Sequence, residues 1–100
     1  MYITVTSLYP NDKAKEVTKV YVKMLTKYPD DASVNAPVLL VRGTFQGIKT
    51  INTQEVKKGK LDDAMTLTVN RMVMFHDIPG FRYSIKTFLS VEEAMKAIGM

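Results

Sequence analysis

The chain has 100 residues, a formal net charge of +4 and no cysteine. That length accommodates one domain over residues 1–100 with one modest core, whose stability pairing with a second copy would raise. The absence of cysteine excludes disulfides, thiolate nucleophiles and cysteine-ligated metal, and the lone histidine leaves no spacing for a zinc site.

Tyr2–Tyr9 alternates, with Tyr2, Thr4, Thr6 and Leu8 on one side and Ile3, Val5, Ser7 and Tyr9 on the other, which predicts a strand. It opens with no charged-then-apolar leader, and no run approaches the ~20 apolar residues of a membrane span. The expected setting is cytoplasmic. Pro10 breaks the strand, and Asn11 or Asp12 is placed to cap a helix over Asn11–Tyr28. There Val17, Val20, Tyr21, Met24, Leu25 and Tyr28 form one apolar stripe. Lys15, Lys19, Lys23 and Lys27 recur every four residues along another face, a basic ridge open to solvent or to an acidic partner. Pro29 ends the helix, and Asp30–Pro37 reads as a polar loop.

Val38–Val41 is a continuous apolar run, so both faces of that strand are expected to be covered. Val38–Val56 reads as a long hairpin turning near Gln46-Gly47. Gly43 and Gly47 lie on one face of it, and a strand glycine marks a bulge, a bend or another backbone close by. Lys60–His76 is the second predicted helix, with Asp62 and Asp63 in its first turn complementing the helix dipole. Its stripe runs through Leu61, Ala64, Met65, Thr68, Val69, Met72, Val73 and His76. Leu67, Met74 and Phe75 make its second half greasy nearly all round, so a partner or a cavity is expected beside it. Asn70 and Arg71 fall on its flank. Ile78-Pro79-Gly80 is a turn and Phe81–Leu89 the last strand. Ser90-Val91-Glu92-Glu93 is a capping box that opens a short closing helix.

The element order, strand–helix–strand–strand–helix–strand, is the split βαβ arrangement of an α+β, ferredoxin-like antiparallel sheet with a short C-terminal helix. Many unrelated functions use that scaffold, so chemistry must come from particular side chains. His76 is the only side chain whose ordinary pKa lies near neutrality. On the helix stripe beside Met72 it would line a pocket mouth and shuttle a proton; at a helix end it also suits the free carbonyls. Tyr83 on the last strand has a phenol that can orient a polar ligand. Phe45 and the methionines supply pliable apolar contact. Arg42, Arg71 and Arg82 read as surface or ion-pair residues.

Two partial likenesses fail on position. Arg42-Gly43-Thr44-Phe45 resembles the core of an RNA-recognition motif, but that family stacks bases on several aromatics, and Phe45 stands almost alone. This argues against a nucleic-acid partner. Gly43-Thr44-Phe45-Gln46-Gly47-Ile48 resembles the acylphosphatase loop, yet it follows the first helix instead of the first strand, and Ile51 occupies the place of the phosphate-binding arginine.

The whole layout carries a better match. The long hairpin ends in Glu55-Val56-Lys57-Lys58-Gly59, and the Met-rich second helix runs into Phe75-His76-Asp77-Ile78-Pro79-Gly80-Phe81. In these respects the chain resembles the dimeric α/β-barrel, antibiotic-biosynthesis-monooxygenase-like superfamily, in particular its small archaeal-type members. The resemblance implies sheets paired into a homodimeric barrel, with a pocket between each sheet and its own helices. Activities in that group include cofactor-free oxygenases, isomerases and haem-degrading enzymes. The haem-degrading branch combines a helix histidine with an asparagine and a tryptophan. His76 and Asn70 are present but tryptophan is absent, so no cofactor is expected. The resulting expectation is a homodimer that binds a small apolar or amphipathic ligand in a pocket lined by Phe45, Met72, His76 and Tyr83. A cofactor-free monooxygenase or isomerase with His76 as catalytic proton shuttle is the first alternative. An interaction module using the Lys15/Lys19/Lys23/Lys27 ridge is the second.

Overall fold

Strand β1 (Tyr2–Tyr9) organises the molecule, because its alternation separates a buried face from a more open one: Ile3, Val5, Ser7 and Tyr9 are buried and the residues between them are not. The structure is a computed structural model describing residues 1–100, the side chain of Ala36 excepted. A 3₁₀ turn at Asn11–Lys13 leads into helix α1 (Ala14–Lys27); strands β2 (Val34–Thr44) and β3 (Gly47–Val56), helix α2 (Leu61–Val73), strand β4 (Arg82–Phe88) and helix α3 (Val91–Ala97) follow. The strands form one antiparallel sheet in the order β2-β3-β1-β4. This is the ferredoxin-like arrangement that the periodicities predict.

Helices α1 and α2 cover the buried face of β1. Ile3, Val5 and Tyr9 share a core with Val17 and Met24 of α1, Ala64, Leu67 and Met72 of α2, and Phe75. The cross-strand pairs Val5↔Asn52, Ser7↔Thr50 and Ile3↔Gln54 place Thr50, Asn52 and Gln54 on that same face of β3, since side chains alternate along a strand.

Four local expectations are corrected. Strand β2 begins at Val34, earlier than the predicted Val38. The Asp31 carboxylate accepts from the Ser33 amide at 2.8 Å, and the Ser33 carbonyl accepts from Lys57 N–H at 2.9 Å, which ties the segment to the end of β3. Pro37 falls in the register shift between Asn35 and Val38 on an edge strand, a place where a missing N–H is tolerated. At α1, neither Asn11 nor Asp12 caps the helix through its side chain; the Pro10 carbonyl takes the Lys13 amide at 3.0 Å instead. Helix α2 stops at Val73, and the amides of Met74, Phe75 and His76 bond carbonyls three residues back, so His76 lies beyond the helix. Its buried face also differs: Ala64, Leu67, Thr68, Arg71 and Met72 are inside while Val69 and Val73 are exposed.

The run Val38–Val41 is exposed on both faces, each residue retaining at least 43% of its surface. The cover expected for it does not come from this chain. The Ser90 capping box forms as predicted: Glu93 N–H donates to Ser90 Oγ at 3.1 Å, and Ser90 N–H donates to the Glu93 carboxylate at 3.0 Å. Among the described residues no helix is long and apolar enough to cross a membrane.

Candidate functional site

A cavity of about 210 Å³ lies between the sheet and the two long helices. Its floor is the covered sheet face. Register sets the floor in rows: Val41, Thr50 and Ser7 form one, and Leu39, Asn52 and Val5 the next. The Ser7 and Thr50 hydroxyls hydrogen-bond each other across β1 and β3. The side-chain oxygens of Asn52 and Gln54 are buried and have no hydrogen-bond partner. Gln54 retains only 3% of its surface. Such groups are rare in folded proteins, and each calls for an explanation.

The roof is mostly apolar, with Val17, Tyr21 and Met24 from α1 and Met72 from α2, followed by Phe75, while Thr18 and Thr68 add hydroxyls. One charge reaches the lining. Arg71 is 5% exposed; its Nε donates to the Tyr28 carbonyl at 2.8 Å and its Nη2 to Asp30 Oδ1 at 2.8 Å. A guanidinium satisfies this demand because its planar fork reaches two acceptors at once. The arrangement joins α2 to the end of α1 and balances the buried charge.

Aromatic rings close one end. Phe81 stacks on Phe75 at 4.7 Å and on Tyr9 at 5.8 Å between centroids. Burial pushes the Tyr9 phenol above its ordinary value, because a low-dielectric site disfavours the phenolate. With the folded-state pKa raised, the neutral phenol's contribution to stability is fully present below the unfolded-state value of about 10 and is lost as pH rises through the folded one. An ultraviolet titration is therefore expected to show a phenolate step above the ordinary tyrosine value that Tyr9→Phe removes. If the substitution leaves the alkaline titration unchanged apart from the loss of one ordinary tyrosine, Tyr9 is not buried in this way.

Of the residues singled out in the sequence, Met72 lines this cavity and three do not. Phe45 sits at the tip of the β2–β3 hairpin, fully exposed. His76 is exposed past the end of α2, and its Nε2 is 2.8 Å from the Tyr83 hydroxyl. The two rings stack at 5.7 Å. Tyr83 lies 6.3 Å from Phe81 between ring centroids, and neither His76 nor Tyr83 lines the cavity. Tyr9, Asn52, Gln54 and Arg71 line the cavity without having been singled out as site residues. The readable signal was the phase of Thr50, Asn52 and Gln54, three polar residues at alternate positions in register with the buried face of β1. The four ridge lysines of α1 are all exposed.

No family model matches this sequence, and no curated protein matches it significantly. Solved structures do. Rv0793 from Mycobacterium tuberculosis superposes with a TM-score of 0.53 at 9% identity, over 89% of this chain and 95% of that one. A candidate antibiotic biosynthesis monooxygenase from Deinococcus radiodurans superposes with a TM-score of 0.54 at 11% identity, over 91% of this chain and 95% of the other. Identities this low speak to the backbone and not to chemistry. The chain has an α+β, ferredoxin-like fold similar to that of these two solved structures.

Proposed function

We propose that the protein binds a small amphipathic molecule in the cavity between sheet and helices, and that it works as a homodimer in the cytoplasm. The observation that carries the reading is the two-sided character of the cavity: a mostly apolar helix roof, its one charge paired, over a sheet floor with buried polar atoms left unpartnered. Ligand sites generally combine apolar walls with a few placed polar groups. At about 210 Å³ the space suits a molecule below the ~300 Å³ at which drug-sized ligands begin. The test uses benzyl alcohol and the methyl resonances of Met24 and Met72. Both are expected to shift saturably with a Kd of about 1 mM or tighter. A titration that moves neither methyl removes the reading.

Self-association is supported by the edge strand. Val38, Leu39, Leu40 and Val41 are 43–62% exposed on β2, an apolar edge of the kind that natural sheets cover or pair. Sedimentation as a stable monomer at high concentration would remove this part of the proposal.

A second reading makes His76 a proton shuttle in a cofactor-free oxygenase or isomerase. It is favoured by the 2.8 Å contact with Tyr83. It requires a bound molecule to reach this pair, which does not line the cavity. Turnover that survives His76→Gln would end it. The exposed lysine ridge supports a third, an acidic protein partner, whose binding would weaken with added salt.

A further inference from the structure

The cavity's polar groups are not equally free, and that inequality selects a ligand class. Ser7 and Thr50 satisfy each other. Arg71 has given its charge to Asp30 and its Nε–H to Tyr28. Among the fully buried side-chain atoms of the lining, the Asn52 and Gln54 oxygens remain, and each accepts from nothing. Their surroundings explain why. Asn52 is paired across the sheet with Leu39 on one side and Val5 on the other, and Gln54 is opposite Ile3. None of these neighbours has a side-chain donor to offer.

From this geometry, and resting on the ligand-binding reading above, we infer that Asn52 and Gln54 anchor an uncharged apolar ligand that carries two hydrogen-bond donors. The two residues are two positions apart on one strand and point the same way, so their side chains leave β3 roughly 7 Å apart. A ligand with a hydroxyl or N–H at each end of a ring-sized apolar body meets both oxygens while its body lies under Met24 and Met72. Charge is not requested: Arg71 is already paired, and an anion brought into this space would lose its hydration without gaining a free cation. The ligand's donors meet buried oxygens that no protein group satisfies, so they count for more than ordinary surface hydrogen bonds.

The experiment compares three probes built on one para-substituted ring, read at the Met24 and Met72 methyls and the Asn52 and Gln54 side-chain amides. These are para-benzenedimethanol, its bis-methyl ether, which lacks donors, and terephthalate, which carries charge. The diol is expected to bind about tenfold or more tightly than the ether, and terephthalate more weakly than the diol. Gln54→Met and Asn52→Leu, tested singly, are expected to reduce that preference severalfold. Both variants should stay folded, because each replaces an unpartnered buried polar group with an apolar one of similar size. If diol and ether bind alike at this cavity, the anchoring inference is overturned while ligand binding stands. Terephthalate binding tighter than the diol overturns it in favour of Arg71. If no probe, benzyl alcohol included, moves the methyls, the binding reading and this inference fall together.

Discussion

Gly47→Ala is expected to lower the unfolding free energy by about 3 kcal/mol, seen as a reduced urea midpoint at unchanged slope. Gly47 begins β3 with φ of 136°, in the region that side chains other than hydrogen rarely occupy. A Cβ there would fall well inside van der Waals contact with the Tyr9 carbonyl oxygen and 3.0 Å from its carbon. The obstacle is backbone, so no rotamer change relieves it. The strand end has to move, and it is held by the Tyr9↔Ile48 pairing and by Thr44 Oγ1 donating to the Gly47 carbonyl at 2.8 Å. Because Tyr9 also lines the cavity, the variant should lose affinity for every probe along with stability. Gly43→Ala is the control. It has no atom within 4 Å of the added methyl and no positive φ, so a change within about 0.5 kcal/mol is expected. Equal behaviour of the two variants would mean that the hairpin yields at Tyr9 and that the close approach is unimportant.

This contrast also marks how far the sequence could be read. Both glycines lie on one face of a predicted strand, and strand glycine signals either bend or close approach; only the register, fixed by pairing with β1, decides that Gly47 is the one against another backbone. The fold itself was legible because it follows from local periods. Strict alternation in Tyr2–Tyr9, the stripe of α1 and the Ser90–Glu93 box each act within a few residues, and each forms as expected except that Leu25 of the α1 stripe is exposed.

The candidate site was less legible, since it depends on helix phase and on long-range pairing. Val69, Val73 and His76 drew the apparent stripe of α2 about one residue's rotation away from its buried face. That error put Arg71 on the flank and His76 over the pocket. In the structure the reverse holds, because Arg71 finds Asp30 and the Tyr28 carbonyl some forty residues earlier, and no periodicity reports such a partner. Exposed Val69 and Val73 remain apolar surface on α2. The polar residues of β3 could be seen to alternate, but their inward direction needed the Val5↔Asn52 register.

Asp30→Ala tests the charge balance on which the ligand class depends. The substitution leaves the Arg71 guanidinium buried with the Tyr28 carbonyl as its remaining acceptor. Losing a hydrogen bond to a charged group costs about 1.5–3 kcal/mol. The upper part of that range is expected, since the stranded cation is 6% exposed. The 3–5 kcal/mol typical of breaking a fully buried pair is not reached, because Asp30 itself is half open to water. Arg71→Met should cost less than Asp30→Ala. It removes the cation along with its need for a partner, leaves a carboxylate that water can solvate, and fills much of the same volume with an unbranched apolar chain. The double variant should then match Arg71→Met alone, because Asp30 has no role once the guanidinium is gone. The same substitutions affect the charged probe differently. Freed of Asp30, Arg71 becomes an unpaired cation on the cavity wall, and terephthalate should gain affinity in Asp30→Ala but not in Arg71→Met. An Asp30→Ala protein as stable as the unsubstituted chain, and still indifferent to terephthalate, would show that Arg71 keeps its charge balanced by some other route and that neutrality of the ligand does not follow from this pair.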